Sequence, residues 1–76
     1  MATRAAELHR KAAEHHERAA RHHLAAAKHH EAGNHELAAR HALFARAYGE
    51  LAHQHATEAA LARRETLAEV RASGTG

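Results

Sequence analysis

The chain has 76 residues, a formal charge of +2 with neutral histidines, eleven histidines, and neither cysteine nor proline. A chain this short forms one domain with a thin core, and without cysteine it can form neither a disulfide nor a thiolate metal site. Alanine, which has the highest helix propensity, makes up roughly 30% of the sequence. Together these features predict an all-α protein in which residues 1–76 form a single domain.

Several functional classes are disfavoured by the composition. The sequence contains no run of about 18 apolar residues and no secretory signal at its start, so we expect no membrane span and a cytoplasmic location. The small net charge and the lack of an aromatic platform argue against nucleic-acid binding. Because cysteine is absent and the one serine, Ser73, lies in the predicted tail, we expect no enzymatic activity and assign no catalytic residue.

Two long helices are predicted in chain order, separated at Gly33 and Asn34. Glycine can adopt the left-handed conformation that closes a helix, and asparagine can cap the start of the next one. We therefore expect helices over about residues 3–32 and 35–72, with a frayed tail at 73–76. Since neither helix is stable alone in water, the chain should fold back as an antiparallel two-helix hairpin.

The first helix carries two adjacent columns of histidine that repeat every seven residues. One column is His9, His16, His23 and His30, and the column before it is His15, His22 and His29. At 100° per residue the first column lies between two columns of alanine, whereas the second lies on their flank. We therefore predict that the His9 column faces the second helix.

The second helix has a seam of residues spaced alternately by four and three, which is heptad spacing. The seam consists of Leu37, His41, Phe44, Tyr48, Leu51, His55, Glu58 and Ala62. Folding at the turn would place His23 near Phe44. The neighbouring histidines of this column would meet the seam residues one heptad away on either side. Gly49 lies inside this helix, where it should cost about 1 kcal/mol relative to alanine without breaking the helix, and it is expected to mark a close contact.

Some large apolar residues of the second helix have no expected partner within the hairpin. They are Leu43, which lies off the seam, and Leu61, Leu67 and Val70, which lie where the second helix outruns the first. A twofold partner would cover them. We therefore predict a homodimer in which two hairpins form a four-helix bundle.

Binding of a transition metal is the chemistry that the histidines favour, because neutral imidazole is the commonest protein ligand for copper, nickel and zinc. No two histidines of the first helix are three or four apart, so a chelate needs ligands from another helix. One such site can be built from His9, His55 and Glu58. The full set of candidate ligands is His9, His16, His23, His30, His15, His22, His29, His41, His55 and Glu58. The general affinity order favours copper among these metals.

A second interpretation stays open beside metal binding. The histidines would then be neutral packing groups of a structural or interaction bundle, and the protein would respond to pH. The unfolded chain would bind more protons than the folded chain, so stability would be lost as the pH falls below about 6.5.

The segment AAEHHERAARHHLAAAKHH at residues 12–30, followed by EAGNHELAARHA at residues 31–42, resembles a group of small histidine- and alanine-rich bacterial proteins. The resemblance covers about residues 3–62. It implies a helical hairpin or four-helix bundle and no particular activity. The second helix of that group is also rich in histidine, whereas this chain has Leu43, Phe44, Arg46 and Tyr48 in the corresponding stretch.

Overall fold

The computed structural model describes residues 3–74, and the side chains of all of them except residues 66 and 72–74. The chain forms two α-helices, α1 (Arg4–Glu31) and α2 (His35–Gly74), which pack against each other as an antiparallel hairpin. The hairpin measures 66 × 18 × 11 Å. The predicted two-helix hairpin is confirmed, although α2 continues through Gly74 where we expected a frayed tail; residues 75 and 76 lie outside the described part of the chain.

Local interactions define both ends of α1. The hydroxyl of Thr3 accepts a hydrogen bond of 3.1 Å from the backbone N–H of Ala6, which satisfies one of the free donors of the first turn. At the other end Gly33 has φ +81°, Gly33 donates to the carbonyl of His30, and Asn34 donates to the carbonyl of His29. These two bonds form a Schellman motif, so the glycine closes the helix as predicted.

The core of the hairpin is built almost entirely from alanine. The buried apolar residues are Leu8, Ala12, Ala19, Ala26, Ala38, Ala45, Ala52, Ala59 and Ala62. Methyl side chains keep little bulk between two helices and allow their backbones to approach closely. Since a buried methyl group contributes only roughly 0.8 kcal/mol, this core provides a small hydrophobic driving force for its length.

The large apolar residues lie mostly outside this core, and this corrects the predicted seam. Leu37, Phe44 and Leu51 are 42%, 53% and 39% exposed, whereas His41 and Tyr48 from the same seam are half-buried. The seam was centred on the largest side chains, but the helices instead approach on their alanines. The heptad spacing of the predicted seam is right. The predicted contact face of α2 is, however, rotated about the helix axis from the face that contacts α1 by part of a helical turn.

The unpartnered apolar residues named from the sequence are exposed in the hairpin, as expected. Leu43, Leu61, Leu67 and Val70 are between 42% and 67% exposed. Neither of the described helices combines the length and the apolar character that crossing a bilayer requires.

Candidate functional site

One row of aromatic rings runs along the edge of the interface between the two helices. Its six members, which we call the ring ladder, alternate between α1 and α2 in the order His29, His41, His22, Tyr48, His15 and His55. Centroids of successive rings are 5.1–5.9 Å apart. All six side chains are half-buried, and four of the five contacts are stacked. Five of the eleven histidines are therefore gathered in one continuous feature.

The regular step of the ring ladder follows from the seven-residue repeat in both helices. Seven residues advance about 10.5 Å along an α-helix, so one column supplies a ring at every second step of the ladder. Two antiparallel helices offset by half that distance interleave their columns, which gives a ring roughly every 5 Å. The observed centroid distances of 5.1–5.9 Å agree with this geometry.

The closest polar contact inside the ring ladder joins His22 of α1 to His41 of α2. Their Nδ1 atoms are 2.9 Å apart, and their ring centroids are 5.2 Å apart. The centroid distance exceeds the nitrogen distance by about two ring radii, so the nitrogens lie near the line between the ring centres. One Nδ1 must carry a proton and donate while the other accepts, which requires at least one neutral ring.

A second histidine pair closes the turn end of the hairpin. The Nδ1 atoms of His30 and His35 are 2.7 Å apart, and both residues are exposed. His35 follows the turn directly and opens α2, so the Schellman motif brings it back towards the last turn of α1. His35 was not among the predicted ligands.

His15 and His55 form the stacked pair at the other end of the ring ladder. Their centroids are 5.1 Å apart and their planes differ by 8°. The Nδ1 atoms of both are shielded from solvent, and neither has a hydrogen-bond partner in the described part of the chain. A shielded imidazole nitrogen without a partner is a polar group left available for a proton or a ligand.

Residues of both helices border the ring ladder. Phe44 contacts His22 and His41, with centroids 5.2 and 6.4 Å away. The guanidinium carbon of Arg18 lies 5.8 Å from the centroid of Tyr48, within range of a cation–π contact. The row is thus bordered by an aromatic ring at His22 and His41 and by a positive charge at Tyr48.

The structure reverses the predicted roles of the two histidine columns of α1. His9, His16, His23 and His30 were expected to face α2 but are exposed, whereas the His15, His22 and His29 column is half-buried in the interface. The position along the axis is nevertheless right, because His22, one residue before His23, is the side chain that contacts Phe44. The predicted contact face of α1 is therefore displaced around the helix by one residue position.

The three-ligand site predicted from His9, His55 and Glu58 is not assembled within this hairpin. His9 and Glu58 are exposed, and His55 stacks on His15. Across the described residues, no group of three or more histidine, cysteine, aspartate or glutamate side chains is arranged to hold a metal ion. What the fold brings together instead is pairs of imidazoles.

A signal for the ring ladder was present in the sequence. In α1, Leu8, Ala12, His15, Ala19, His22, Ala26 and His29 are spaced alternately by four and three, and α2 has the matching series from Ala38 through His41 to Ala62. Reading small and aromatic residues together as one seam, instead of searching for the largest apolar side chains, would have identified the correct face. Tyr48, which belongs to the row, was assigned to the seam but not to a site.

Comparison of the chain with protein-family models, curated proteins and solved structures gives no match. The resemblance to small histidine- and alanine-rich bacterial proteins stays a prediction that rests on the segments quoted above. Any function must therefore be argued from the geometry of the hairpin itself.

Proposed function

We propose that this protein binds transition-metal ions reversibly through pairs of histidines contributed by its two helices, as a metal-handling or metal-buffering protein. The observation that carries the proposal is the 2.9 Å separation of the Nδ1 atoms of His22 and His41. These atoms come from different helices, so the fold, and not a local sequence motif, creates the pair.

The separation suits two ligands of one ion. A metal–imidazole bond is about 2.0–2.1 Å long, and two nitrogens less than 3 Å apart can both lie at that distance from one centre once the rings turn their lone pairs towards it. The donor ring of the His22–His41 bond carries its proton on Nδ1, so binding uses its other tautomer, with the proton on Nε2. The remaining coordination positions are left to water or to further side chains, which suits exchange of the ion.

The two pairs differ in accessibility, and we expect them to differ in affinity. The His22–His41 pair is half-buried, with Phe44 in contact with both rings and Tyr48 stacked on His22, whereas the His30–His35 pair is exposed at the turn. A site held between packed rings has its ligands already positioned, which lowers the entropy lost on binding. Copper, nickel and zinc all fit imidazole ligands, and the general affinity order places copper first.

The proposal is tested by titrating tag-free, metal-stripped protein with Cu(II), Ni(II) and Zn(II) at pH 7 by calorimetry. We compare the natural chain with His22→Phe, which keeps a ring in the row but removes its nitrogens. His23→Phe is the matched control, since His23 is the adjacent, exposed histidine outside the row. Because His22→Phe removes one of the two ligands of the His22–His41 site, it should raise the dissociation constant of that site about tenfold or more. His23→Phe should leave this constant unchanged.

Two results would contradict the metal proposal. One is open-ended, weak uptake by the natural chain with no saturable site. The other is equal loss of binding in His22→Phe and His23→Phe, which would show adsorption by histidines in general. His30→Phe distinguishes the exposed pair at the turn from the ring ladder, because it should remove only the weaker of the two metal-binding events.

A second candidate function, a structural bundle that responds to pH, is favoured by the stacking of five titratable rings in one row. Successive rings lie 5.1–5.9 Å apart, and the His22–His41 bond needs a ring that lacks one proton. Two protonated imidazoles in contact in this row would repel each other. Acid melting without any saturable metal site would favour this function over the first.

We also propose that two hairpins pair into a four-helix bundle. The argument is the distribution of apolar area: the core is formed by alanine, while Leu37, Phe44, Leu51 and Leu61 are 39–53% exposed. Large apolar patches on a surface generally mark a contact with another chain. A dimer would add to each chain the apolar burial that its alanine core lacks.

A further inference from the structure

The outward face of α2 carries a second heptad seam, distinct from the alanine face that packs on α1. Its members, which we call the outer seam, are Leu37, Arg40, Phe44, Ala47, Leu51, Gln54, Glu58 and Leu61. They are spaced alternately by three and four residues, and all eight are exposed in the hairpin. This is the pattern by which one helix packs against another in a coiled coil.

The position of the outer seam around α2 fits a corner helix of a bundle. At 100° per residue its centre lies about 100° from the face formed by the buried alanines. A helix in a four-helix bundle contacts two neighbours at roughly a right angle, and α1 supplies only one of them. The other neighbour is missing within the hairpin.

We infer that the outer seam packs against the outer seam of a second copy of this chain, with the two α2 helices antiparallel. The inference rests on the dimer proposed above and specifies its interface. The pairs across this interface are Leu37 with Leu61, Arg40 with Glu58, Phe44 with Gln54, and Ala47 with Leu51, each between one copy and the other. Because the twofold axis repeats every pair, the four pairs give eight layers.

Charge and size complementarity both support this register. The outer seam contains one cation and one anion, and the register sets Arg40 of each copy opposite Glu58 of the other. Where Ala47 of one copy lies opposite Leu51 of the other, a small side chain meets a large one. A parallel arrangement would instead oppose Arg40 to Arg40 and Glu58 to Glu58, and like charges across an interface exclude wrong partners.

The same interface would also cover the ring ladder where Phe44 borders it. Phe44 belongs to the outer seam and also contacts His22 and His41. A second copy seated on Phe44 therefore reduces the access of water to the His22–His41 pair. Dimerisation and occupancy of this pair are expected to influence each other.

The inference is tested by charge reversal, with the dimer dissociation constant measured by sedimentation equilibrium. Arg40→Glu and Glu58→Arg are made singly and together. Each single change opposes like charges at two layers, so the dissociation constant should rise about tenfold or more. The double variant restores opposite charges and should return to within a few-fold of the natural value. Circular dichroism checks that every variant keeps its helix content.

Arg10→Glu and Glu17→Arg are the matched controls, because both residues are exposed on α1 and lie away from α2. They change the net charge by the same amounts and should leave dimerisation unchanged. A natural chain that stays monomeric at all concentrations would overturn the dimer and this interface together. A dimer that is insensitive to Arg40→Glu, or single losses that the double variant does not reverse, would overturn the interface and leave the dimer standing.

Discussion

Replacement of Gly49 by alanine tests whether any helix approaches α2 at its least bulky position. Gly49 lies within α2 and is half-buried, and a Cβ placed there meets nothing within 4 Å. The sequence had suggested a close contact at this glycine, and the hairpin contains none. Gly49 also lies outside the outer seam, so the proposed dimer predicts that the second copy leaves this position open.

The expected change is a stabilisation set by helix propensity alone. Glycine in a helix interior is about 0.8–1.0 kcal/mol less favourable than alanine, and the open space at Gly49 adds no steric term. We therefore expect Gly49→Ala to stabilise the fold by about 1 kcal/mol per chain. For a domain of this size that raises Tm by about 4–8 °C. Gly33→Ala is the opposed control: φ is +81° there, and a side chain in that conformation costs about 1–2 kcal/mol.

Thermal unfolding followed by circular dichroism at a fixed protein concentration measures both variants, and sedimentation reports the dimer. Gly49→Ala should raise Tm without weakening the dimer, and Gly33→Ala should lower Tm. A fall in Tm or a loss of dimer in Gly49→Ala would refute the reasoning. It would show that a second helix packs on the small residues around Gly49 and not on the outer seam.

A further prediction concerns the core of the hairpin. Ala45→Leu should lower the free energy of unfolding, measured in urea, by about 1–3 kcal/mol, because Ala45 is 1% exposed and a larger side chain forces the helices apart. Ala39→Leu is the control on the exposed face and should change stability by less than about 0.5 kcal/mol. A similar loss of stability in both leucine variants would contradict the assignment of the core.

Part of the candidate site followed from the sequence. The seven-residue spacing fixed the axial positions of the histidines, and the turn at Gly33 fixed which layers of the two helices meet. His22 accordingly lies against Phe44, within one residue of the predicted contact. The histidine pairs themselves were not predicted, because their formation depends on which side of each helix faces the other.

The lengths of the two helices, their turn and their antiparallel order were determined by the sequence, because helix propensity and the left-handed glycine act locally. The rotation of each helix about its own axis was decided only by the tertiary structure. In α1, columns beginning at Ala5 and Ala6 are both alanine, so more than one face offers a smooth surface and the seven-residue repeat fits each of them. Packing the two helices together selects one face of each: alanines of both helices are buried, and the rings of both helices interleave in the ring ladder. That choice leaves the His22 column half-buried, and it leaves the His23 column and the large apolar residues of α2 exposed.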